Sequence, residues 1–255
     1  MYRGKRFRIK SHDEIVAAID DAARRFPHRR RVFLCDGDAL IMPQPRLVAL
    51  LREVRQRHPG VRRVASYANA KALSRKTDGE LAELRSAGLK MLHMGLESGD
   101  DATLTEVGKH GDSDFIVQQG QRARAAGLQV FVTVLVGIAG VGGSLRHARA
   151  TGEALTRMSP NYVGALTLML VPGTPLHASW EAGQFRLPDS TGMLLEVRTM
   201  LQHTKLRRGI FFANHASNYV PIQCVLPDDK AETLRLLDLA IAGMVPRRPE
   251  SLRGL

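Results

Sequence analysis

Two apolar runs in this 255-residue chain end in carboxylates set beside glycine: Phe33-Leu34-Cys35-Asp36-Gly37-Asp38, and Leu92-His93-Met94-Gly95-Leu96-Glu97-Ser98-Gly99. A buried parallel strand that stops in this way delivers polar groups to the mouth of a barrel, where ligands bind. Asp36 and Asp38 suit an ammonium group, and Gly37 lets backbone approach a ligand. Glu97 can take two ribose hydroxyls at once, with Ser98 beside it; Gly95 and Gly99 flank the pair as close ligand approach would require. Ser66, Tyr67 and Asn69 follow a third apolar run and can hydrogen-bond a carboxylate or a ribose. The glycine-rich turn around Gly137, Ile138 and Gly140 precedes a helix and suits a phosphate or a flat ring. No Lys-Ser or Lys-Thr follows it, which excludes a P-loop. Asn214 to Tyr219 either line a pocket or form a satisfied turn. Each of these groups has a plain structural alternative, because Asp, Gly, Ser and Asn are also turn and capping residues.

The elements that must position them follow from hydrophobic patterning. Short runs rich in branched residues predict strands over 31–35, 61–67, 91–95, 129–137, 162–170 and 209–213. Amphipathic stretches predict helices over 11–26, 45–58, 78–87, 113–126, 143–158, 191–203 and 228–242. Ser11 with Glu14 reads as a capping box; Gly60, Gly88 and Gly127 suit left-handed helix stops. Strand–helix alternation predicts parallel strands with right-handed crossovers. The nearly all-apolar strands point to a sheet covered on both faces, with no antiparallel hairpin over most of the chain. The chain opens on a helix, so a first strand is expected to be absent. No linker divides the sequence.

Composition narrows the class. Hydrophobic residues make up 44%, ordinary for a globular α/β protein. No apolar run spans a bilayer and Met1 to Lys10 has no apolar signal core, so a soluble cytoplasmic protein with no membrane partner is expected. The two cysteines, Cys35 and Cys224, are too few for a disulfide framework or a cysteine metal site and read as buried, unpaired thiols. No spacing marks a metal site or a catalytic triad, so catalytic residues are not assigned. A net charge of +12 raises an RNA partner. The arginines sit on predicted helices and their exits, and aromatics are only 5%, so RNA is not the favoured reading. Trp180 reads as a packing residue in a connecting segment.

Taken together and in order, Phe33–Leu40, Ser66–Ala70, Leu92–Gly99, Val171–Pro175 and Asn214–Tyr219 resemble the radical S-adenosylmethionine superfamily, in the branch with Elongator-type and oxygen-independent coproporphyrinogen-type proteins. The resemblance implies a partial (βα)6 barrel in a core over 1–205, with a strand–helix extension over 206–255. It implies S-adenosylmethionine as cofactor. Asp36, Gly37 and Asp38 stand where the family meets the methionine amino group, Ser66 and Asn69 where it meets the carboxylate or ribose. Glu97 and Ser98 fall at the ribose, and Gly137, Ile138 and Gly140 at the adenine. Such a site requires Asp38 and Glu97 to open onto one cavity.

The departure is the family's Cys-x-x-x-Cys-x-x-Cys loop, which holds a 4Fe-4S cluster and has no counterpart in this sequence. Residues like Met1–Arg8 follow the last of those cysteines almost directly in relatives, so the first strand and cluster loop are expected to be missing. The resemblance then implies a truncated protein, inactive alone, whose intact parent uses the cluster and an electron donor for radical chemistry on an unknown substrate, small or macromolecular. The alternatives are a non-catalytic remnant that binds an adenosyl ligand or a protein partner, and an RNA-associated module. A second departure is Gly140-Val141-Gly142-Gly143, where relatives more often carry an Arg-Glu pair.

Overall fold

The computed structural model describes residues 8–35 and 37–254. Helix α1 (His12–Arg25) leads into β1 (Arg31–Leu34) and α2 (Gln44–Arg57). Then come β2 (Arg63–Tyr67), α3 (Ala70–Ser74), α4 (Asp78–Ala87), β3 (Leu89–Glu97), α5 (Asp101–Glu106), α6 (Ser113–Ala125), β4 (Gln129–Val136), α7 (Gly140–Met158) and β5 (Tyr162–Thr167). The chain ends with α8 (Pro175–Glu181), α9 (Ser190–His203), β6 (Gly209–Phe212), β7 (Gln223–Leu226) and α10 (Lys230–Ile241), apart from two short 3-10 turns. The strands form one sheet in sequence order, β1 to β7. The first six run parallel and β7 pairs antiparallel with β6. The architecture is therefore an α/β half-barrel that does not close. The 206–255 segment adds both its strands to the same sheet.

Local sequence explains the boundaries. Ser11 accepts from the Glu14 amide while Glu14 returns to the Ser11 amide, the expected capping box. Thr77 and Glu80 do the same for α4, and Asp112 caps α6 by accepting from the Phe115 amide. Gly88 and Gly127 carry positive φ after their helices, at 121° and 81°, whereas Gly60 is not among the positive-φ glycines. Pro227 leads β7 into α10. The antiparallel β7 was not among the expected strands: its four residues alternate exposed and buried, a pattern too short to stand out from a polar turn.

The core lies between one face of the sheet and the helices. Along β4, Val130, Val132, Val134 and Val136 are fully buried, while Phe131, Thr133 and Leu135 between them are half-exposed. The second face is thus only partly covered, where the apolar composition had suggested two covered faces. Six rings, one from each parallel strand, lie across it: Phe33, Tyr67, His93, Phe131, Tyr162 and Phe212. His93 stacks on Phe131 at 4.7 Å, and Phe33 meets His93 edge-on at 4.9 Å. Such a layer fills the base of a half-barrel with large rings at low conformational cost.

The β1 side of the fold is looser. β1 pairs only with β2 among the described residues, and α1 buries none of its residues fully. Between them lies an apolar cavity of about 370 Å³ that includes Ile15, Ile19, Val32, Leu34 and Leu50 in its walls. Cys35 is exposed here, against the expectation of a buried thiol, because no strand covers that edge; Cys224 in β7 is buried as expected. Trp180 lies in α8, 46% exposed beside His177, and is not a core packing residue. Among the described residues no helix is long and apolar enough to cross a membrane.

Candidate functional site

The C-terminal ends of β1 to β4 meet at one edge of the sheet. At the end of β3, Glu97 adopts φ +63°, one of two non-glycine residues with positive φ among those described. Held there, a residue with a side chain costs about 1 kcal/mol or more, and such strain collects at functional sites. The pairing with β4 slips between Gly95 and Glu97, and the slip turns the Glu97 side chain back over Gly95. A methyl group on Gly95 would overlap Glu97 Oε1 and stand 3.0 Å from Lys109 Nζ. Glycine is required here to let the carboxylate fold inward. Lys109 donates to Glu97 Oε1 at 3.0 Å, and both side chains remain about a quarter exposed, so the carboxylate can exchange its partner for a ligand.

Ser98, next in sequence, is fully buried and faces away from that opening. Its hydroxyl accepts from the Asp100 amide at 2.9 Å and lies 2.7 Å from His147 Nδ1. Thr151 Oγ1 lies 3.3 Å from the same Nδ1, and the ring turns Nε2 toward Glu196. That nitrogen lies 3.8 Å from Glu196 Oε2 and has no hydrogen-bond partner; Glu196 Oε1 has none either. Glu196 Oε2 accepts from the Gly137 amide at 2.6 Å. Ser98–His147 at the exit of β3 and Glu196–Gly137 at the exit of β4 are thus two buried hydrogen-bonded pairs that face each other across a 3.8 Å contact. Burial pushes the Glu196 carboxyl up to about 7 and the His147 imidazole down to about 4, so both are neutral in mildly acidic solution. Gly99 was expected to admit a ligand. Its close approach is instead to α7, where a methyl group would overlap the Ala150 carbonyl.

At the exits of β1 and β2, Asp38 is a brace. It accepts from the Leu40 amide at 2.9 Å and the Asn69 amide at 2.7 Å. Burial raises its pKa against the opposing pull of those two amides. Asn69 caps α3 by accepting from Ala72 at 2.8 Å. Ser66 is fully buried and donates to the Tyr67 carbonyl, so it does not reach the opening. Gly37 has φ +128° and open space on its Cα. Asp36 lies outside the described residues. Cys35, Gly37 and Asp38 line the 370 Å³ cavity, and Glu97 does not. Asp38 and Glu97 come to the same end of the sheet, but the cavity reaches only Asp38, so the shared cavity expected of the two carboxylates does not form among the described residues.

The adenine-side candidates are explained largely by packing. A methyl group on Gly137 would stand 2.5 Å from Met193 Cε, and one on Gly140 3.0 Å from the Phe185 ring. Ile138 is 6% exposed. The tail turn is a satisfied one: Asn218 donates to the Ala165 carbonyl and accepts from Thr167, and Ser217 accepts from the Thr167 amide. Sequence reasoning missed Lys109, His147 and Glu196. His93 was visible as a polar residue inside the apolar β3 run, and its pKa is lowered by burial and then by Arg63.

The thiols do not fit an iron–sulfur cluster. Cys35 follows β1 and Cys224 lies in β7, at opposite edges of the sheet. Cluster thiolates come closely spaced, and among the described residues no three His, Cys, Asp or Glu side chains gather to hold a metal.

The family model of the Radical SAM superfamily matches residues 2–146, more than half of the chain. Solved structures of similar fold include methylornithine synthase (PylB), with a TM-score of 0.55 and 18% identity over 80% of this chain and 57% of that one. Elp3 of the archaeon Methanocaldococcus infernus, with an N-terminal deletion, gives 0.58 and 12% over 92% of this chain and 60% of its own. Coproporphyrinogen III oxidase (HemN) of Escherichia coli, a radical SAM enzyme, gives 0.50 and 14% over 74% and 44%. This chain thus spans about half to three-fifths of their lengths. No curated protein matches it.

Proposed function

The chain belongs to the Radical SAM superfamily, and from that premise we propose that its strand-end rim holds the adenosyl part of S-adenosylmethionine. The observation that carries the proposal is Glu97, kept in a strained left-handed conformation above Gly95 with a quarter-exposed carboxylate. The turn is closed by the Ser98 amide donating to the Leu96 carbonyl at 2.8 Å, and it holds the Glu97 carboxylate where a bidentate grip on two ribose hydroxyls would need it. Gly37 supplies an open backbone approach at β1. Asp38 and Asn69 act as braces for that loop, and Ser98 and Gly137 as anchors for the neighbouring ones. S-adenosylmethionine would supply a source of the 5′-deoxyadenosyl group.

The cluster that family members use to cleave this cofactor finds no ligands among the described residues, and no step of the reaction is assigned to them. In this proposal the 4Fe-4S cluster and its electron donor act in a full-length parent, on a loop following a further parallel strand. The unpaired edge of β1 and the apolar cavity beside it support a place for such a strand. The chain as given is then a cytoplasmic ligand-binding core without radical activity. Substrate hydrogen abstraction belongs to the parent.

Anaerobic iron–sulfur reconstitution, followed by calorimetric titration with S-adenosylhomocysteine, tests both parts. The expected result is one bound S-adenosylhomocysteine per chain and no stoichiometric, reducible 4Fe-4S signal. A stoichiometric cluster would overturn the assignment of the cluster to another segment. Absence of binding would overturn the rim site.

A further inference from the structure

The opposite, N-terminal ends of the first strands carry cations that the rim site does not use. Strand register places Arg31 of β1 beside Arg63 of β2, with Arg62 one residue ahead, and Lys90 falls at the irregular start of the β2–β3 pairing. Adjacent strands stand roughly 4.8 Å apart, and like charges set side by side across them are destabilising. Two helix residues close on the same place. Arg55 donates to the Ser86 carbonyl at 3.3 Å and Arg85 to the Gly127 carbonyl at 2.8 Å, which fixes both guanidiniums at the cleft.

Among the described residues none of these six cations forms an ion pair. Arg24, Arg25 and Arg57, on the neighbouring helices α1 and α2, each meet a carboxylate. Arg55, Arg62, Arg63, Arg85 and Lys90 line a cleft of about 420 Å³ with no carboxylate and no aromatic ring in its walls. A fold gains nothing by gathering uncompensated positive charge around a hollow, and a bound polyanion would relieve it.

We propose that this cleft binds the sugar–phosphate backbone of a nucleic-acid chain. Five cations from two strand starts and two helices exceed what one phosphate needs. The absence of a ring to stack a base makes the contact one of backbone, without sequence preference. The site is independent of the adenosyl rim, since it lies at the other end of the strands.

Fluorescence anisotropy of a labelled, unstructured 12-nucleotide RNA with the whole chain tests it. Five phosphate contacts predict a slope of log K against log salt of about −3.5. Arg62→Glu with Arg63→Glu is expected to lose at least about 30-fold in affinity at low salt, and to flatten the slope to about −2. Arg149→Glu with Arg235→Glu makes the same change in net charge on α7 and α10 and is expected to lose less than about threefold. Arg85→Gln with Lys90→Gln, from the facing wall, supplies a milder variant and is expected to flatten the slope by about 1.4. Equal losses in the cleft and control variants would overturn the site and leave only net charge. So would displacement of the RNA by polyglutamate of matched length, or by a nucleoside monophosphate at comparable concentration, or no binding by the wild-type chain at 50 mM salt (about the low-salt end of such titrations).

Discussion

Replacing Glu196 by Gln should make the stability of this protein strongly pH-dependent where the wild type is nearly flat. The two buried groups that face each other between the exits of β3 and β4 are shifted in opposite directions by the same cause, desolvation. Glu196 rises from 4.5 to about 7. A carboxyl raised in the fold contributes stability that is full below pH 4.5 and is lost as pH climbs through 7. His147 falls from 6.5 to about 4. Its contribution is full above pH 6.5 and is lost as pH falls through 4. At 1.36 kcal/mol per pKa unit each effect is worth roughly 3 kcal/mol, and between about pH 4.5 and 6.5 they oppose one another.

Glu196→Gln removes one side of this balance and keeps an oxygen to accept from Gly137. Urea unfolding followed by far-UV circular dichroism should then show stability rising by roughly 3 kcal/mol from pH 4 to 6.5. At pH 8 the variant should be more stable than wild type, because no buried carboxylate has to ionise. His147→Gln should show the mirror image, with stability falling from pH 4.5 to 7. A wild type and a Glu196→Gln variant of parallel pH dependence would refute the neutral pair. So would a loss of several kcal/mol by Glu196→Gln at pH 8, which would mean that an imidazolium–carboxylate pair holds the two loops.

Other expectations follow from single contacts. Glu97→Gly should raise stability by about 0.5–1 kcal/mol in the same assay, through relief of the left-handed strain, while abolishing S-adenosylhomocysteine binding; a loss of stability would show that the Lys109 ion pair outweighs the strain. Gly95→Ala should expel the Glu97 carboxylate and weaken ligand binding with little unfolding, and unchanged affinity would remove Glu97 from the site. Gly99→Ala should destabilise by several kcal/mol, because the added methyl meets α7 backbone that cannot give way; a change under about 0.5 kcal/mol would return Gly99 to the ligand.

The legible parts were those with local causes. Six parallel strands and seven principal helices follow from periodicity and capping, and the Ser11–Glu14 box forms as drawn. The short helices α3, α5 and α8 and the strand β7 are too brief for periodicity to register. At the rim, the sequence pointed to Asp38, Glu97 and their glycines, but glycine alone does not say what approaches it. At Gly95 it is the Glu97 side chain, at Gly99 the backbone of α7, at Gly137 Met193. Ser66 and Ser98 look equivalent to Asn69 in sequence, yet the pleat of β2 turns Ser66 into the core and the left-handed turn at Glu97 buries Ser98. His147 and Glu196 lie 49 and 98 residues beyond Ser98, in two different helices, so no spacing could join them. The cation cleft was hidden for a related reason: Arg31 and Arg63 became neighbours only when β1 and β2 paired.

The central claim is that Glu97 grips the ribose of an adenosyl ligand, and a double-mutant cycle by calorimetry tests it most directly. S-adenosylhomocysteine and its 2′-deoxyribose analogue would each be titrated into the wild-type chain and Glu97→Ala. Wild type is expected to prefer the ribose ligand by about 1.5–3 kcal/mol, the range for hydrogen bonds to a charged group, and Glu97→Ala to lose that preference. The same preference in both proteins, or equal affinity of wild type for the two ligands, would contradict it.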